Sequence, residues 1–170
     1  SDILLPRNYL SQLQIDHKEF DAIQGKRIQL KREVSSQFTN YEDVEIGRDT
    51  YVTDEGYWEA FQNNTEEWMQ LDRPWRYTCT YALSIRREAF EAVGWIRRNY
   101  IYYGYEDSEL GFDLCREKRK LHLSQERVYH LDHRMQRSEF YNSFRRKKLL
   151  LANSADTFYR NTLDPGVYQH

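Results

Sequence analysis

Cysteine is scarce in this sequence: Cys79 and Cys115 are the whole supply. Two thiols cannot form a disulfide framework and they lack CxxC spacing, so both are expected to be reduced, in a cytosol-like, cytoplasmic compartment. Long apolar runs are missing too. No stretch approaches the roughly 20 residues that a membrane-crossing helix needs, and the mean hydropathy of -0.94 indicates a large wet surface. The opening Ser1-Asp2-Ile3-Leu4-Leu5-Pro6 has no basic leader before its short apolar patch, so no secretory signal is expected. Nor does one charge dominate. With 25 Lys and Arg against 27 Asp and Glu, the net charge of -2 exerts no overall pull on nucleic acid or an anionic membrane, and any anion site must be local. Internal repeats and low-complexity tracts are absent.

What is present suits an α/β chain with a real core. The 170 residues, 39% hydrophobic and 15% aromatic, suffice for one domain, which we place at residues 1–153 with a tail at 154–170. From Pro6 the spacing of Tyr9, Leu10 and Leu13 predicts a short helix, with His17 on the surface of its end. Phe20 to Leu30 reads as a strand with a bend or bulge at Gly25. Residues 31–73 are charged and poor in apolar runs, which predicts two or three short helices joined by loops. Within them Thr53-Asp54-Glu55-Gly56 reads as a turn, and Tyr57, Trp58 and Phe61 cluster at helical spacing. Tyr77 to Ile85 reads as a strand, and Arg86 to Val93 as a helix with Ala89, Phe90 and Val93 inward and Gly94 as its C-cap. Leu121-His122-Leu123 and Val128 to Leu131 read as extended chain. Gln136 to Asn153 reads as an amphipathic helix folding back on the domain, with peripheral contact at a membrane surface as the sharper alternative. Asp164-Pro165-Gly166-Val167 is a turn before a loose end.

Carboxylates, aromatics and backbone freedom converge at one place, Tyr102-Tyr103-Gly104-Tyr105-Glu106-Asp107-Ser108-Glu109-Leu110-Gly111-Phe112. If Glu106 or Asp107 opens or caps a helix, spacings of three and four put Asp107 on the face of Leu110 and Leu114, which points inward. A carboxylate at the edge of an apolar face suits a general base, because partial loss of water sharpens its basicity. Acids in a first turn are also ordinary partners of the helix dipole, and Asp is a favoured cap. Both readings stand on spacing alone. The basic and aromatic run from Trp95 to Tyr103 also has the composition of a single-strand nucleic-acid platform, but it is short and the net charge is negative, so no nucleic-acid partner is expected.

The runs Ala82-Leu83-Ser84-Ile85-Arg86-Arg87-Glu88-Ala89-Phe90, Val93-Gly94, Gly104 to Phe112, and Val128-Tyr129-His130-Leu131-Asp132-His133 resemble, in order and spacing, the acceptor half of a GT-A glycosyltransferase. The likeness is to family 2 enzymes and the related galactosyltransferase C-terminal domain, over the middle and later chain. It implies the C-terminal half of a GT-A fold, with a small mixed sheet and flanking helices. It implies transfer, by inversion, of a sugar from a nucleotide donor such as a UDP-sugar to a carbohydrate hydroxyl. Asp107 would be the base and Glu106 the group that orients the acceptor. Tyr103, Gly104 and Tyr105 would line the acceptor, together with Trp75 of the Pro74-Trp75 pair, although packing is the plain role of any one tryptophan. Ser1-Asp2 is similar to the end of the family's Asp-x-Asp motif, whose preceding Asp is not present; Asp2 would then ligate Mn²⁺ or Mg²⁺, and the nucleotide-binding strands would lie upstream, a frayed terminus being the plain alternative. A downstream histidine completes that set. In an unbroken strand His130 and His133 face opposite sides, so His130, on the face of Val128, is the first choice and His133 the reserve. Ala82 and Tyr81 depart from the family, which commonly has Asn and a small residue there. Glycoside hydrolysis does not fit, because adjacent acids at a helix start lack the facing separation a glycosidase needs. The remaining alternative is a carbohydrate-binding or assembly module of this fold without turnover.

Overall fold

At Gly25 the two long strands fall out of step. β2 (Ala22–Gln29) runs parallel to β4 (Leu121–His130), and their register steps from Gln24 opposite Leu123 to Lys26 opposite Arg127. Gly25 therefore faces the stretch Ser124-Gln125-Glu126, where the Ser124 hydroxyl accepts the Glu126 amide at 3.1 Å. The irregularity expected at the glycine is there, with the surplus residues on the partner strand. A side chain at 25 would not fit, since its Cβ would lie 2.8 Å from the Tyr9 hydroxyl and 3.0 Å from Val128 Cγ1.

The structure, a computed structural model, describes residues 3–47, 51, 68–100, 104–131 and 144–164, without the side chains of residues 32 and 144–147. The chain divides into two units: one of residues 1–71, 79–86 and 119–134, and one of residues 72–78, 87–118 and 135–170.

The first unit is built on the sheet. With β1 (Ile3–Leu4) and β3 (Leu83–Ile85) the described strands run in the order β1-β4-β2-β3; the outer two are antiparallel to their neighbours, so the sheet is mixed. Successive side chains of a strand point to opposite faces, and Val128 and Tyr129 accordingly join different clusters. On one face α1 (Tyr9–Asp16) lays Tyr9 and Leu13, one turn apart, on Ile23 and Val128. On the other, α3 (Tyr41–Ile46) brings Val44 to Ile28, Leu30 and Tyr129. Each such buried aliphatic side chain contributes roughly 1.5–3 kcal/mol. The preceding α2 (Arg32–Ser35) is a single turn, whereas α3 starts where Asn40 Oδ1 accepts the Asp43 amide at 3.0 Å, an N-cap. The Glu45 carboxylate accepts hydrogen bonds from Tyr41 at 2.9 Å and from Tyr129, which pins α3 to the sheet.

Two expectations fail in this unit. His17 is half-buried rather than a surface residue: its ring reaches the Phe20 carbonyl at 3.1 Å and Ser84 Oγ at 2.8 Å, tying the end of α1 to β3. The strand expected from Tyr77 to Ile85 shrinks to Leu83–Ile85. Before it lie 3-10 turns at Pro74–Tyr77 and Thr80–Ala82. The cause is not local. The Cys79 amide donates to Gln24 Oε1 at 2.8 Å instead of to a sheet neighbour, and the Tyr81 hydroxyl donates to the Gly25 carbonyl at 3.2 Å. The bond from Cys79, with that from Gln24 Nε2 to the Tyr81 hydroxyl at 3.4 Å, satisfies the fully buried Gln24 side chain, and a strand here would leave it without them.

The second unit is helical. α4 (Arg87–Ala92) ends in a Schellman motif: the Gly94 amide bonds the Glu91 carbonyl at 3.1 Å and the Trp95 amide bonds the Phe90 carbonyl at 3.2 Å. Gly94 takes φ +79, as the motif requires, and the Phe90 and Trp95 rings make its hydrophobic contact at 4.7 Å. α5 (Glu106–Arg116) and α6 (Phe144–Thr162) close on Trp75, Ala155 and Phe158, with Tyr100, Tyr105, Phe112 and Cys115 around them. Burial pushes the Cys115 thiol up to about 11, and neither it nor Cys79 is in a disulfide. The boundary expected at residue 153 falls inside α6, where Ser154, Ala155 and Phe158 are buried. Packing of this apolar face carries the helix past the end expected at Asn153. Residues 53–61 and 165–170, where a turn, an aromatic cluster and a loose end are expected, lie outside the described residues.

Candidate active site

The helix that begins at Glu106 does so against its local chain. Tyr105 stands at the cap position with φ 69, after Gly104 with φ 113, and its side chain makes no capping bond. A non-glycine residue in the left-handed region costs about 1–2 kcal/mol, so the surroundings must hold it there. One tie is visible: Glu106 Oε2 accepts the Gly104 amide at 2.7 Å, closing the turn back on the helix start. With Glu106, Asp107 and Glu109 in the first turn, the helix presents acids where its dipole favours them. Asp107 is half-buried, its Oδ1 accepts the Ser108 amide at 2.9 Å, and it shares a stripe with buried Leu110 and Leu114. The inward stripe expected from the spacing is therefore observed.

The aromatic residues are used differently from the expectation. Trp75 is only 4% exposed, with its ring 4.8 Å from that of Phe158 and edge-on to Phe112 at 6.1 Å, so it is core and presents no stacking platform. A Pro-Trp pair before a strand suggested a groove; the chain turns there instead, and the indole goes inward. Tyr105 also packs toward Phe158, at 6.0 Å, and burial raises its hydroxyl pKa while Arg76 opposes the rise. Gly104 is half-buried against Leu151. Tyr103, Asp2 and His133 lie outside the described residues.

Glu106 and Asp107 belong to the helical unit and His130 to the sheet unit. His130 closes β4, opposite both Gln29 of β2 and Ile3 of β1, the residue after Asp2. Gln29 Oε1 lies 2.7 Å from His130 Nδ1, and Arg27 Nη2 lies 3.3 Å from the same nitrogen. Both contacts fall on Nδ1 and fix the orientation of the ring, which leaves Nε2 as the nitrogen they do not use. The guanidinium requires that any cation there be balanced by carboxylate. Among the described residues no group of three or more His, Cys, Asp and Glu could hold a metal ion.

The sequence did not flag a charge cluster in the helical unit. Glu109 and Asp113, one turn apart on α5, are each 2% exposed. Arg97 bridges them, with Nε 2.7 Å from Glu109 Oε1 and Nη2 3.3 Å from Asp113 Oδ2. Arg116 holds Asp113 Oδ1 at 2.9 Å, and Asn161 of α6 donates to Glu109 Oε2 at 2.8 Å. The Tyr100 hydroxyl beside Glu109 is raised well above its ordinary range, by burial first and then by that carboxylate. The available signal was Glu109-x-x-x-Asp113 bordering the apolar stripe, but carboxylates at that spacing are ordinarily solvated.

No protein-family model matches the chain, and no curated protein is significantly similar to it. Among the described residues no helix is long and apolar enough to cross a membrane.

Proposed function

We propose that this chain is the acceptor-side, catalytic half of a GT-A glycosyltransferase, and that it transfers a sugar from a nucleotide donor to a carbohydrate hydroxyl with inversion. The observation that carries this reading is the setting of Asp107: half-buried in the first turn of α5, on the stripe of Leu110 and Leu114, behind a turn held by Glu106. A carboxylate so placed is shielded enough to act as a base and exposed enough to meet a substrate. The mixed sheet with flanking helices is compatible with the fold that the sequence resemblance implies.

In this reading Asp107 takes the proton of the acceptor hydroxyl as its oxygen attacks the anomeric carbon, and the bond from that carbon to the nucleotide diphosphate breaks. Glu106 orients the hydroxyl. His130, its ring set by Gln29, and Asp2, which precedes the strand partner of His130, would hold Mn²⁺ or Mg²⁺, with His133 in reserve. When bound, such an ion neutralises charge on the departing diphosphate.

The test is transfer from a panel of nucleotide-sugars to oligosaccharide acceptors, with the anomeric configuration of the product read by NMR. Metal-dependent formation of an inverted product supports the reading. Oligosaccharide binding by calorimetry, with no transfer and no metal-dependent nucleotide binding by the complete protein, would establish the binding module in its place.

A further inference from the structure

We propose that Arg97 is a positioning residue for this transfer: through Glu109 and Asp113 it sets the placement of the helix that carries Asp107. The inference rests on the functional reading above. α5 has two carboxylates on one buried row, and like groups one turn apart repel when charged. Their burial at 2% exposure removes the water that would otherwise screen them. Among the described residues Arg97 is the cation that touches both. Its planar fork spans one turn of the helix, gripping it at two points along the axis, so it restrains rotation as well as translation. A lysine, with its single charged centre, reaches one carboxylate at a time.

The grip is close to the chemistry. Glu109 lies two residues beyond Asp107, within the turn that opens α5. Arg97 comes from the connection that follows α4, so the clamp ties that connection to the helix start. Two further ties hold the outer oxygens, and a third orients one of their donors. Arg116 takes the second oxygen of Asp113, Asn161 takes the second oxygen of Glu109, and Asn99 donates to Asn161 Oδ1 at 3.0 Å. Glu106 and Glu109, three apart, lie on the same row. A shift of that row would carry the Glu106 tie to Gly104, and Asp107 with it.

The experiment compares wild type, Arg97→Met, which keeps the stem without the fork, and Arg97→Lys. Two measurements are made: steady-state transfer and amide hydrogen exchange resolved by residue. Arg97→Met is expected to lower kcat about tenfold to a hundredfold with the acceptor KM within about threefold. It should also speed exchange at Ser108, Glu109 and Leu110 by at least about tenfold while β2 and β4 exchange as in wild type. Arg97→Lys should fall between the two proteins in both measurements. Unchanged kcat in well-folded Arg97→Met, or protection lost evenly throughout the helical unit, would overturn the proposal. If Arg97→Met does not fold, Arg97→Lys decides: wild-type kcat and wild-type exchange at those three amides would overturn it. If the complete wild-type protein transfers no sugar, the functional reading falls, and the exchange measurement still decides whether Arg97 places the helix start.

Discussion

Replacing Gly111 by alanine should destabilise this protein, against the rule for helices. In an exposed helix interior the change gains about 0.8–1.0 kcal/mol, because glycine loses more backbone freedom on folding. At Gly111 the new Cβ would overlap Thr78 Oγ1, lie 2.6 Å from Thr78 Cβ and 3.1 Å from the Trp75 carbonyl oxygen. None of these neighbours yields easily. Thr78 is 1% exposed and β-branched, and the carbonyl is main chain. Overpacking of this kind costs about 1–3 kcal/mol. With the contacts fixed on both sides we take the upper half of that range, so after the helix gain the net loss is about 1–2 kcal/mol. In urea unfolding followed by circular dichroism, with a slope of about 2 kcal/mol/M, the midpoint should fall by about 0.5–1 M. Thr78→Gly in the same background removes the obstructing side chain and should recover most of the loss, giving a coupling of about 1–2 kcal/mol in the double-mutant cycle. If Gly111→Ala matches or exceeds wild-type stability, or if the cycle shows no coupling, α5 does not rest on the 74–78 turn as described.

Tyr129→Phe removes the hydroxyl that donates to Glu45 from a fully buried ring and should cost about 1.5–3 kcal/mol in the same unfolding assay; a loss under about 0.5 kcal/mol would show that the bond contributes little. His122 stacks on Phe20 at 4.2 Å, and burial lowers its pKa, with Asp16 and Glu19 opposing the shift. Below about pH 6.5 the unfolded chain binds this proton more readily than the folded one, so stability present above that pH declines as pH falls toward the folded value. Melting temperatures from pH 7.5 to 5 should show this decline, and His122→Phe should flatten it; an unchanged slope in the variant would exclude His122 as the source.

Elements whose pattern is local were legible in the sequence. The stripe of Tyr9 and Leu13 gives α1, Gly25 marks the strand irregularity, and Gly94 ends α4 in the conformation a C-cap needs. α5 also follows the spacing from Asp107 to Leu114, down to the inward face. What failed depends on partners distant in sequence. The chain before β3 turns because Gln24, more than fifty residues earlier, takes the Cys79 amide. α6 runs past residue 153 because Phe158 finds Trp75. Glu109 and Asp113 are buried with Arg97 bridging them, and Arg97 lies more than ten residues earlier, beyond the reach of a local pattern. The acids of the candidate site were therefore readable as a pattern, while the side chains that hold them in place were not.

Asp107→Asn is the most direct test of the central claim, measured as single-turnover transfer beside acceptor affinity by calorimetry. Asparagine keeps the size of the side chain and its hydrogen bond to the Ser108 amide but is not a base at neutral pH. The transfer rate should fall by about 10²–10⁴, with acceptor affinity within about threefold of wild type. Transfer at the wild-type rate by a folded Asp107→Asn protein would contradict the claim.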